Sequence, residues 1–274
     1  MISIITWDAS FREHFHVIDY FCSQEYGREQ FEFIWVDFYR NDNPLLLDKI
    51  AKYPNARVLN LDNERSAKWH LGTCVNAGIN VSRGEILVIP DGDIVAPPNL
   101  LRCVEVAHSE CANLVMYFRR WDEPADKHDE ERSYDIDYLK GVCILTNPTN
   151  YGGTISLRRD TLAKVGGYEE DPVFAGPGAA GMELYIRLRN AGLPIKWHSE
   201  KIYHPGHVGT GWSNTDRELL NRLAAQYRWI NPYSGVEQSW VIRCRELDLH
   251  YMANDGNIDQ YLSRLPSIKG YNVS

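Results

Sequence analysis

Short continuous apolar runs alternate with amphipathic stretches through the first 110 residues. Residues 2–6 (ISIIT) predict a buried first strand. Phe11, Phe15, Ile18 and Cys22 recur at steps of four, three and four, the spacing that gathers side chains on one helical face. Residues 31–37 (FEFIWVD) read as a second strand. Residues 44–53 read as a helix with Pro44 in its first turn, where its missing N–H is not needed. A third strand at 57–61, a helix over 67–80 and a fourth strand at 85–90 (EILVIP) continue the pattern. This βαβα rhythm predicts an α/β fold: a mostly parallel central sheet flanked by helices. Ligands of such sheets bind beyond the carboxyl ends of the strands. The residues that follow each strand are therefore the first candidates for function.

The rhythm breaks after a strand at 114–118. Residues 121–138 (WDEPADKHDEERSYDIDY) are polar and strongly acidic, and are expected as a solvated surface excursion or, functionally, as a flap or acceptor surface. Regular structure resumes at 151–157. A helix at 182–190, a short strand pair around 195–197 and 202–203, and a helix at 213–229 capped by Ser213 or Asn214 complete the pass. The expected division is one domain over 1–212 followed by a C-terminal helical extension, 213–274. Within the domain, 1–110 and 111–212 form two halves.

Composition narrows the function. The 274 residues are 44% hydrophobic and 24% charged, as in an ordinary globular protein. A net charge of −8 excludes a general nucleic-acid binder, since phosphate recognition rests on Lys and Arg. The six cysteines form no C-x-x-C pair and read as reduced thiols. No stretch resembles a signal peptide or approaches the roughly 18 apolar residues of a transmembrane segment. A cytoplasmic protein is expected, with peripheral contact to a membrane left open.

The central chemical feature is Asp91-Gly92-Asp93, a D-x-D motif (DXD) that terminates the fourth strand. Two carboxylates one residue apart at a strand end can hold a hard cation, and the glycine lets a ligand approach the backbone. Such an ion bridges diphosphate oxygens and neutralises a departing nucleotide. Mn2+ or Mg2+ is the expected cofactor.

Around this motif the residues resemble a known family. Asn76-Ala77-Gly78, then Arg83-Gly84-Glu85 and an apolar run, then Asp91-Gly92-Asp93 are similar to the family-two inverting glycosyltransferases of the GT-A fold (nucleotide-diphospho-sugar transferases). The approach through Arg65, Lys68 and Trp69 resembles the galactosyltransferase-like members. A second block, Tyr151-Gly152-Gly153-Thr154 and later Val165-Gly166-Gly167-Tyr168, matches in order. The resemblance covers residues 1–207, and it implies that 1–110 form a nucleotide-binding half and 111–212 an acceptor- and metal-completing half. It implies transfer of a sugar, with inversion, from a nucleoside-diphosphate sugar, by family base rate a UDP-sugar, to a hydroxyl group of a glycan or other acceptor. It implies donor contacts from Thr6, Asp8, Asp37, Asn76, Asp91, Gly152 and Gly153, and metal ligation by Asp91, Asp93 and His204, with His207 next. Trp212 is expected to present its ring to the acceptor. The family's Pro-Thr-Tyr-Asn after the first strand is absent.

One departure bears on mechanism. Where the family carries Glu-Asp, whose Asp deprotonates the acceptor, this chain has Ala180-Gly181. Glu183 is the nearest carboxylate and the candidate catalytic base. A shift of two residues turns a helical side chain by about 200°. The rival reading is therefore a catalytically impaired GT-A protein that binds a nucleotide sugar or carbohydrate. A sugar nucleotidyltransferase is disfavoured, because residues 6–12 (TWDASFR) contain no glycine for a phosphate loop.

Overall fold

The computed structural model describes residues 1–8, 14–170, 174–176 and 180–207. Seven strands form one sheet: β1 (Ile2–Asp8), β2 (Phe31–Asp37), β3 (Ala56–Asn60), β4 (Ile86–Pro90), β5 (Val115–Asp122), β6 (Thr154–Arg158) and β7 (Ile195–His204), in the order β3-β2-β1-β4-β6-β5-β7. Strands β1 to β4 are mutually parallel, and β5 is parallel to β7. Only β6 runs against its neighbours β4 and β5. The mostly parallel sheet expected from the sequence is thus observed.

Strand residues alternate between two cores, one on each face of the sheet, as the two-residue period of a strand requires. Ile4, Phe33, Trp35, Val88, Met116 and Phe118 pack with Val17, Ile18 and Phe21 of α1 (His16–Cys22) and Leu101 and Val104 of α4 (Leu100–Glu110). On the other face Ile5, Ile34, Val36, Leu87, Tyr117 and Leu157 pack with Cys74 and Val75 of α3 (Leu71–Val81) and Leu162 of α6 (Arg159–Lys164). Leu184 and Leu188 of α7 (Ala180–Asn190) join them. Between β2 and β3, α2 (Pro44–Ala51) starts as its sequence predicts. Pro44 opens it, and the Asn43 side chain accepts from the Leu45 N–H.

Several boundaries differ from expectation. Helix α3 starts at Leu71, four residues later than the pattern suggested, because the His70 ring caps it by accepting from the Thr73 N–H. Strand β5 runs on to Asp122 through Arg119 and Arg120, and its last four residues pair with residues 201–204 of β7. The two short strands expected near 195 and 202 are one strand, β7, with a register shift opposite Phe118 and Arg119. The acidic stretch is not a wholly solvated excursion. It holds the end of β5, a 3-10 turn at Ala125–Lys127 and the start of α5 (Ile136–Val142), and Glu123 and Ser133 within it are buried. Phe11, the helix expected at 213–229 and the extension 213–274 lie outside the described residues.

Candidate active site

The carboxyl ends of β1, β2 and β4 place Asp8, Asp37 and the Asp91-Gly92-Asp93 turn along one edge of the sheet, with Asp8 directly in register with Asp37. Reversal of β6 brings the start of that strand to the same edge. The Asp91 N–H donates to the Gly153 carbonyl at 3.1 Å. A Cβ on Gly152 would stand 3.2 Å from an Asp91 carboxylate oxygen, so a glycine keeps this wall against the turn.

Asp93 is almost fully buried, and two imidazoles converge on it. Its Oδ2 lies 3.0 Å from His204 Nε2 and 3.2 Å from His207 Nε2, and the two nitrogens are 3.2 Å apart. The ligand atoms of these three residues all lie within 4.8 Å of one another. Metal–ligand bonds of about 2.1 Å at octahedral angles put donor atoms about 3 Å apart, which is the spacing seen. A carboxylate with two imidazoles suits a borderline divalent ion such as Mn2+. His204 is oriented from behind, because its Nδ1 faces Asp122 Oδ1 at 3.1 Å. With the proton on Nδ1, the Nε2 lone pair points towards Asp93 and His207, as in a carboxylate-supported metal ligand. Burial alone would lower the His204 pKa. Asp93 and Asp122 outweigh it and raise the value to about 9.

Asp91, expected beside Asp93 as a ligand, is outside this group of three. Its carboxylate faces the Arg120 guanidinium at 3.7 Å, and Arg120 in turn reaches Asp122 at 2.8 Å. Arg120 is a cation set between two carboxylates at the motif.

The expected donor-binding residues divide. Asp8, Asp91, Gly152 and Gly153 lie along the carboxyl edge of the sheet, Asp91 and Gly152 partly exposed and Asp8 and Gly153 buried. Thr6 does not: it is fully buried, and its hydroxyl donates to the Pro90 carbonyl at 3.1 Å, tying β1 to β4. Asp37 folds its own loop, accepting from the Tyr39 and Asn41 N–H groups at 3.1 and 2.5 Å. Asn76 is a clamp between α3 and the 167–170 turn. Its amide donates to the Tyr168 carbonyl and to Glu170, and its oxygen accepts from the Tyr168 N–H. Asn41 and Arg65 join the edge instead. Asn41 donates to Asp8 at 3.1 Å and accepts from Arg65 at 2.7 Å, while Arg65 lies over the Tyr39 ring.

Glu183 is not placed as the sequence suggested. It is 2% exposed on α7, and Arg187 holds both carboxylate oxygens, at 2.6 and 2.5 Å. A base must be within reach of the proton it takes, and a carboxylate committed on both oxygens inside the core is not. This burial and pairing favour a structural role for Glu183 over that of the base. Trp212 lies outside the described residues.

Neither a protein-family model nor a curated protein sequence matches the chain. The fold does match solved structures. TarS 1–349 of S. aureus in complex with UDP-GlcNAc is 13% identical, with a TM-score of 0.61, covering 92% of this chain and 71% of that one. The mannosyltransferase PcManGT of Pyrobaculum calidifontis, in complex with GDP-Man and Mn2+, is 15% identical. Its TM-score is 0.58, and the match covers 96% of this chain and 73% of that one. At such identities the likeness establishes the fold, which is the GT-A fold of glycosyltransferases. It does not single out galactosyltransferase-like members. Among the described residues no helix is long and apolar enough to cross a membrane.

Proposed function

We propose that this protein is a metal-dependent glycosyltransferase, moving a sugar from a nucleoside-diphosphate donor to a hydroxyl acceptor with inversion at the anomeric carbon. The observation that carries the reading is the convergence of Asp93, His204 and His207 beside Asp91, at the carboxyl edge of a GT-A sheet. Asp93, His204 and His207 would hold Mn2+ or Mg2+, which supplies neutralisation of the leaving diphosphate. Arg120, beside Asp91, adds a second positive charge near the same point. Gly152 leaves room for the donor against the chain, whereas Gly153 is packed on Arg120 and Ile202, and Asp8 with Asn41 offers polar contacts for the nucleoside, taken here as uridine. Trp212 remains the proposed acceptor contact. The location is proposed as cytoplasmic.

Ala180-Gly181, together with the commitment of Glu183 to Arg187, favours a second reading: a GT-A protein that binds a nucleotide sugar without transferring it. Calorimetry with UDP, with Mn2+ or EDTA, combined with an assay of donor hydrolysis and transfer, separates the possibilities. Mn2+-dependent binding with turnover supports the enzyme, and Mn2+-dependent binding without turnover supports the binder. Equal affinity in Mn2+ and EDTA overturns the metal assignment.

A further inference from the structure

Next to the cation cluster, and outside it, lies a buried carboxylate that the reaction does not use. The Glu123 side chain has no exposed surface. Burying a charged carboxylate is unfavourable unless donors replace its water, and here three do so. The Ser133 hydroxyl donates to Oε1 at 2.7 Å; on Oε2 the Gly206 N–H donates at 2.7 Å and His128 Nδ1 lies at 3.0 Å. Ser133 also accepts from the Asp129 N–H at 2.8 Å. Through its backbone, Glu123 donates to the His204 carbonyl at 3.0 Å.

The partners fall into two groups. Ser133 and His128 belong to the acidic segment after β5, whereas His204 and Gly206 belong to the turn that carries both imidazoles. Gly206 sits between His204 and His207, so the hydrogen bond from its N–H to Glu123 fixes the Pro205–Gly206 peptide between the two imidazoles. A Cβ at Gly206 would stand 3.3 Å from Glu123 Oε2 and 3.5 Å from His128 Cβ. The residue type at 206 thus permits the close approach that the carboxylate needs.

We propose that Glu123 is a positioning residue for the cation site, and that it couples the packing of the 128–133 segment to metal affinity. The inference rests on the metal reading above. Outer partners of metal ligands typically alter affinity about 10- to 100-fold when removed. Coupling is also reciprocal: whatever the segment contributes to the cation, the cation returns to the segment.

The test uses the full chain and Mn2+ alone, followed by calorimetry and by the electron paramagnetic resonance of the free ion. Glu123→Ala should weaken Mn2+ binding about 10- to 100-fold. Glu123→Gln, whose amide oxygen can still accept from Gly206 while its NH2 faces Ser133, should recover most of the affinity. Ser133→Ala, which removes a hydroxyl bonded to Glu123, should weaken it several-fold. In the wild type, Mn2+ should slow tryptic cleavage after Lys127 and Arg132, and in Ser133→Ala this protection should shrink. If Glu123→Ala does not fold, Ser133→Ala decides alone. Folded Ala variants with wild-type Mn2+ affinity and unchanged protection overturn the coupling while leaving the metal site intact. No Mn2+ binding by the wild type overturns the metal reading and this inference with it.

Discussion

Arg187 grips Glu183 through both carboxylate oxygens, and the same guanidinium donates to the Val165 and Gly167 carbonyls at 2.6 and 2.7 Å. One buried ion pair thereby fastens α7 to the turn after α6. Removing one partner leaves the other charge buried, a loss of about 3–5 kcal/mol in comparable cases. Glu183→Ala should therefore lower the melting temperature sharply, and Arg187→Met should do the same. A Glu183→Ala protein that melts like the wild type but has lost transfer would return Glu183 to the role of base.

Asn76 carries a related prediction. Its amide makes three hydrogen bonds across to residues 168–170, one of them to a carboxylate. Asn76→Ala strands the Tyr168 N–H and carbonyl and should cost about 1–3 kcal/mol of stability. UDP affinity per folded molecule should stay near the wild-type value, as read by calorimetry below the melting transition. A selective loss of UDP affinity with an unchanged melt would make Asn76 a donor ligand after all.

Gly181 bears on whether an acid pair can be restored. A Cβ there would lie 3.0 Å from the Tyr151 carbonyl oxygen and 3.1 Å from its carbon. Backbone, rather than a flexible side-chain tip, must yield. Gly181→Ala should destabilise the protein by about 1–3 kcal/mol, and Ala180→Glu with Gly181→Asp should bring no gain in transfer. A large gain in the double variant would show that the Tyr151 backbone moves aside readily.

Asp91 and Asp93 should separate in their response to metal. Asp93 touches both imidazoles, whereas Asp91 faces Arg120. Asp93→Asn should reduce Mn2+ affinity at least 10-fold, because a charged ligand is lost. Asp91→Asn should bind Mn2+ within a few-fold of the wild type while altering UDP affinity. Equal loss of Mn2+ binding in both variants would place Asp91 among the ligands.

Acid should loosen the fold through His108. This residue is fully buried, its Nε2 lies 3.0 Å from the Ser156 hydroxyl, and burial, helped by Arg158, lowers its pKa to about 4. The unfolded chain binds the proton at its ordinary value near 6.5. Below that value the unfolded state holds more protons, so stability falls with pH between about 6.5 and 4 and levels off below. His108→Gln keeps an N–H near Ser156 and does not titrate. It should flatten this part of a plot of melting temperature against pH, and a parallel curve for the two proteins would refute the assignment.

Strands β1, β2 and β4 were legible because each is a largely apolar run buried on both faces, and β3, only partly buried at the sheet edge, was legible from its place in the βαβα rhythm. The end of β5 was not, because Arg119, Arg120 and Asp122 look like loop residues until β7 is laid beside them. The break expected within β7 reflects its polar residues Ser199 and Glu200, which lie at the register shift. The meeting of Asp93 with His204 was legible through motif and position, as was the GT-A fold through ordered blocks. Arg120, Asp122 and Glu123 escaped notice because each has one partner from a distant part of the chain, Asp91, His204 and Gly206 respectively. A stretch so acidic also reads as solvent-facing. Asp37 and Asn76 have partners the sequence did not disclose, since a polar residue at a strand end or in a motif can bond the backbone around it.

The Asp122–Ile144 pairing has a consequence for how this protein can vary. The two residues exchange both backbone hydrogen bonds, at 2.9 and 3.0 Å, so the chain leaves the sheet at Asp122 and returns beside the same point. Residues 123–143 thus form an insert with a closed neck. Lengthening a loop whose ends are already held together adds little entropic cost. Lineages could exchange or extend this insert beside the cation cluster while β5 and β6 keep their register, provided an equivalent of Glu123 stays at the neck. Variation at this edge would then proceed by replacing one cassette, leaving the sheet beneath it unaltered.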